Sequence, residues 1–73
     1  MIYPNPTDDL LFVQGPENVS DCSYEIRNIA GQLVMHGDLG IGQPILVGEL
    51  SKAVYILQVV GNDEVVYLKW IKN

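Results

Sequence analysis

Seventy-three residues, 48% of them hydrophobic and 18% charged, supply one small core and exclude two, because chains of this size bury only about 60% of their unfolded surface. Nine Asp and Glu against four Lys and Arg give a net charge of -5, which opposes binding to nucleic acid phosphates and to anionic membrane surfaces. A single cysteine, Cys22, excludes an internal disulfide, and the longest apolar run, Ala53–Leu57, is far short of the roughly 18 residues of a spanning helix.

Tyr3-Pro4-Asn5-Pro6-Thr7-Asp8-Asp9 predicts an extended lead-in and a turn, since two prolines remove backbone donors and push the residues before them into extended conformations. Leu10–Gln14 is an apolar run closed by Gly15-Pro16 and predicts a first full strand. Ser23–Asn28 alternates, with Tyr24 and Ile26 on one face and Glu25 and Arg27 on the other, the pattern of a strand with one dry side. Ala30-Gly31 then turns the chain into Leu33–His36, a hairpin in which the glycine takes a positive φ. Gly37–Gly42 reads as loop, and Pro44–Val47 as a strand that lies at an edge or begins at its proline. After a turn at Glu49–Lys52, Val54–Val60 and Val65–Lys72 form a second hairpin through Gly61-Asn62-Asp63-Glu64.

Six or seven short strands with no helical periodicity predict an all-β fold, a small immunoglobulin-like sandwich of antiparallel strands. Its expected core is Leu11, Val13, Tyr24, Ile26, Tyr55, Leu57 and Val59, in phase with Glu25, Arg27 and Gln58 pointing out. The last strand is apolar in both phases, Val66, Leu68 and Trp70 beside Val65, Tyr67 and Ile71, more than a one-sided sheet buries. Either a partner covers part of it, by edge pairing or as a second copy, or the sandwich buries it on both sides. Met1 directly before Ile2-Tyr3-Pro4 reads as a start placed on a fragment of a longer protein.

Catalytic chemistry finds little support. Cys22 and His36 are the only thiol and imidazole, and a nucleophile pair needs a third group to orient it. Structural zinc needs four ligands and the chain offers two soft ones. Asn5, Asp8 and Asp9 cluster oxygen ligands suited to weak calcium binding, but without the alternating acids and distal Glu of a calcium loop, and Thr7, Asp8 and Asp9 serve equally to fix the turn. Gly37-Asp38-Leu39-Gly40-Ile41-Gly42 is followed by a strand rather than by the helix a phosphate loop requires. No cofactor is expected. The aromatic residues Tyr3, Phe12, Tyr24, Tyr55, Tyr67 and Trp70 leave a carbohydrate-binding or adhesive module of a secreted enzyme as the alternative function, although alternating strand positions place most such rings in a core.

Five blocks in order carry a resemblance: Tyr3-Pro4-Asn5-Pro6, Asp9–Val13, Ile29–Val34 with its Gly31, Leu50–Leu57 with its Tyr55, and Lys69-Trp70-Ile71-Lys72. Together they resemble the type A C-terminal sorting domain of type IX secretion cargo, over nearly the whole chain. Ala53 stands where that family usually carries glycine. The resemblance implies a non-catalytic Ig-like domain, residues 1–73, at the C-terminus of a larger secreted protein of Gram-negative bacteria. Its parent cargo passes through the periplasm, and outer-membrane type IX translocon components recognise the domain. A sortase-like peptidase then removes it at the cell surface. Within that frame the Val54–Lys72 hairpin is the expected recognition surface, with Lys69, Trp70, Ile71 and Lys72 at its end and the two lysines as accessible charged contacts.

Overall fold

The computed structural model describes residues 2–13, 22–39, 43–61 and 65–73. Seven strands follow in order: β1 (Ile2–Tyr3), β2 (Leu10–Val13), β3 (Ser23–Asn28), β4 (Leu33–Asp38), β5 (Ile45–Leu46), β6 (Ala53–Val60) and β7 (Val65–Lys72). They form two antiparallel sheets, β1-β2-β5 and β4-β3-β6-β7, the small sandwich expected. The thinnest backbone dimension is 17 Å, room for two sheets about 10 Å apart and for no third layer. Each sheet therefore turns one face to the core and the other outward.

The core joins both sheets. Leu11 and Ile45 come from the small sheet, Ile26, Tyr55, Leu57, Val59 and Trp70 from the large one, and Leu39 and Val47 from the segments between strands. Val13 and Tyr24 pack against this cluster, so every residue of the expected core is in it or against it. Trp70, fully buried, stacks on its cross-strand partner Tyr55 with ring centroids 5.2 Å apart. The Tyr55 hydroxyl donates to Ser51 O at 2.7 Å, while the Trp70 indole N–H is buried without an acceptor among the described residues.

The first hairpin turns as the glycine predicts. Gly31 has φ +85°, a region open to glycine at low cost. Asn28 organises the turn: its Oδ1 accepts from the amides of Ala30 and Gln32, and its Nδ2 donates to Gln32 Oε1. A register shift between Ile26 and Arg27, which pair with Met35 and Leu33, leaves Val34 as the extra residue of a bulge.

Beyond the turn, β4 runs two residues past His36, through Gly37 and Asp38, which the glycine-rich composition had marked as loop. Gly37 pairs with Tyr24, and the Tyr24 side chain lies against it so closely that an added Cβ would sit 3.1 Å from the hydroxyl oxygen and 3.2–3.3 Å from ring carbons. Glycine here gives the Tyr24 ring room to lie on the strand. β5 is shorter than predicted, Ile45–Leu46, and does lie at a sheet edge. Gln14, Gly15, Pro16 and most of the 61–64 turn lie outside the described residues.

Candidate functional site

The C-terminal strand and the N-terminal lead-in meet. From β1 the chain passes cis peptide bonds at Tyr3-Pro4 and Asn5-Pro6 and runs beside the end of β7. There the Ile71 amide donates to Asn5 Oδ1 at 2.9 Å. The Thr7 amide donates to Ile71 O at 2.9 Å, and the Asn73 amide donates to Thr7 O at 2.8 Å. Thr7 thus makes a parallel bridge with Lys72. Its side chain is buried, with Oγ1 donating to the Leu10 carbonyl. The Tyr3-Pro4-Asn5-Pro6 block is a strap fastened to β7, with Asn5 Oδ1 engaged in a backbone bond.

β7 pairs with β6 along its full length, Ala53 opposite Lys72 to Val60 opposite Val65. Strand alternation then divides the terminal block. Trp70 and Lys72 point inward and are buried, while Lys69 and Ile71 are exposed. The four expected contact residues do not share one surface. Lys72, expected to be accessible, is only 6% exposed, with its Nζ donating to Asn73 O at 3.0 Å. The reason is the strap, which brings Thr7 alongside Lys72 through contacts 65 residues apart in sequence, beyond any local pattern.

The outward phase of β7 is Val65, Tyr67, Lys69 and Ile71, all exposed, with Tyr67 at 65%. Across β6 they face Val60, Gln58, Ile56 and Val54, all half-buried. Next in the sheet, Glu25 and Arg27 of β3 pair at 2.8 Å, and Arg27 also donates to Gly31 O. Among the described residues, Lys69 has no ion-pair partner within 4 Å. The result is a largely apolar stripe crossed by one unneutralised cation, on a strand buried on one side only.

The remaining candidates are dispersed. His36 faces outward opposite Glu25, whereas Cys22 packs against the core cluster, so the sheet separates imidazole from thiol. Among the described residues no three His, Cys, Asp or Glu side chains gather where a metal ion could be held. Of the aromatic rings, Tyr55 and Trp70 are in the core and Tyr24 packs on it. Tyr3 stacks on Phe12 on the small sheet, and Tyr67 stands on the large one. Exposed rings on two different sheets make no common saccharide platform.

No curated protein matches this chain. The model of the secretion system C-terminal sorting domain matches residues 1–73, the whole sequence. Such domains are sorting signals of the type IX system and are generally without catalytic activity. The strap and the Gly31 turn fall on blocks that carried the resemblance, and the chain belongs to the type IX secretion C-terminal sorting domain family.

Proposed function

We propose that this domain directs an upstream cargo across the outer membrane, that translocon components read it through the outward phase of β7, and that a sortase-like peptidase then removes it at the cell surface. The family match over the whole chain carries the reading. The geometry supports the choice of surface. Lys69 is an exposed cation in a domain of net charge -5, set between exposed Tyr67 and Ile71, and a localised charge of opposite sign beside apolar area gives a docking event both orientation and affinity. Trp70 and Lys72 act from inside, by holding β7 in place.

The test is export of a fluorescent protein targeted to the periplasm and fused to this domain, in a type IX-competent cell. Removing Lys69–Asn73 also removes Trp70 from the core, so loss of export by that truncation does not separate recognition from folding. Lys69→Glu and Ile71→Glu alter exposed positions and leave the core whole. The reading requires both fusions to stay folded and accumulate in the periplasm. Surface delivery equal to the parent by both variants would move the recognition surface elsewhere.

A further inference from the structure

β7 is an edge strand of the large sheet, so its inward side chains stand at the open flank of the sandwich. Their burial is uneven. Val66, Leu68, Trp70 and Lys72 share the inward phase, yet Val66 is 42% exposed, Leu68 half-buried, Trp70 0% exposed and Lys72 6%. The gradient follows the strap, which lies beside Ile71–Asn73 and makes no bond further along the edge. Thr7 spans the gap between the layers. Its Oγ1 donates to Leu10 O at the start of β2, and its backbone groups bond Ile71 and Asn73 at the end of β7. An indole on an edge strand is dry here because the strap closes the flank beside it.

That closure is lightly held. Three bonds fasten the strap to β7: the Ile71 amide to Asn5 Oδ1, the Thr7 amide to Ile71 O, and the Asn73 amide to Thr7 O. Pro4, Asn5, Pro6 and Asp8 on either side of Thr7 are exposed. The closed state also carries a cost. The Trp70 indole N–H is buried without an acceptor among the described residues, and a buried donor left unpaired costs free energy that contact with water returns. Few bonds, exposed flanking residues and a polar group that gains on wetting are the features of a segment that opens ahead of its domain.

We propose that residues 4–8 are a lid over the Trp70 end of the core. Its three bonds to β7 break together while β3, β6 and β7 stay paired; Trp70 Nε1–H then reaches water, and the Thr7–Asp8 peptide becomes free extended chain. The coupling runs both ways. A group that takes the Ile71 and Asn73 backbone positions excludes the strap, and anything that holds the strap away uncovers Trp70. On the reading that a peptidase removes this domain, on which this consequence rests, the lid links access to the N-terminal boundary to the state of a strand end 66 positions away.

Native-state hydrogen exchange of the 73-residue chain, followed by NMR at several urea concentrations below the unfolding transition, tests the lid without export. Failure of the export reading leaves these rates untouched. Trp70 is the single tryptophan, so its indole resonance is unambiguous. Its Nε1–H and the amides of Thr7, Ile71 and Asn73 should exchange through one opening, at least about tenfold more frequent than that of the Tyr55–Val59 amides of β6, and nearly independent of urea. Asn5→Ala removes one bond at an exposed position. It should speed exchange of the Thr7 and Asn73 amides and of Trp70 Nε1–H, and cleavage of the Thr7–Asp8 bond by endoproteinase Asp-N, by one common factor of about two to ten. Circular dichroism verifies folding, and if Asn5→Ala unfolds, the urea dependence of the parent carries the test. Exchange of Trp70 Nε1–H only together with the β6 amides would overturn the proposal, as would Thr7 and Asn73 amides indifferent to folded Asn5→Ala.

Discussion

Leu57 is fully buried at the centre of β6, opposite Ile26 on one side and Leu68 on the other, so nothing nearby can close over a lost side chain without strand movement. Leu57→Ala should cost about 2–5 kcal/mol in urea unfolding, a large share of the stability of a domain this small. The strap divides into a buried and an exposed contribution. Thr7→Val removes the donor to the Leu10 carbonyl at a position 1% exposed, and should cost about 1–3 kcal/mol. Asn5→Ala loses a bond that water can partly replace, and about 0.5–1.5 kcal/mol is expected. Equal losses from the two would mean that burial does not set the strength of this junction.

Among the strands, β3 was the most legible. Its alternation of Tyr24 and Ile26 with Glu25 and Arg27 states which face is dry, and Gly31 states where the hairpin turns. β7 was ambiguous because both its phases are apolar, so period-two reasoning had no polar face to exclude. Its orientation is decided across the sheet, where Trp70 stacks on Tyr55, and across the molecule, where Thr7 bridges to Lys72. Glycine misled at Gly37, since composition cannot distinguish a glycine that bends the chain from one that admits a ring. A double-mutant cycle separates the two: Gly37→Ala should destabilise the parent by about 1–3 kcal/mol through crowding of Tyr24, and should be nearly neutral in a Tyr24→Leu background. Additive effects would point to a backbone requirement instead. The Glu25–Arg27 pair tests little, because both side chains are more than a third exposed, and Glu25→Gln should change stability by under about 1 kcal/mol.

At the scale of the whole molecule, the sandwich was readable from strand count and spacing, whereas the proposed recognition surface depends on which phase of one strand faces outward. Cys22 lies against the core, and His36 stands on β4, at the opposite edge of the sheet from β7. Cys22→Ser and His36→Ala fusions are therefore expected to reach the cell surface as the parent does, measured by surface-exposed fluorescent reporter. Loss of export by a folded variant of either would reveal a site that the geometry does not show.

The strap has a consequence for timing. Asn5 and Ile71 are 66 positions apart, and Thr7 closes on Ile71 and Asn73, so a growing chain holds the first half of this junction long before the second exists. Contacts of such separation form late, after the entropy of closing the intervening loop has been met. The junction cannot close until Ile71, Lys72 and Asn73 are available, and a chain that stops short of them lacks the fastening. Closure of the junction therefore reports that both ends of the domain are present, whatever the order in which the strands between them have paired.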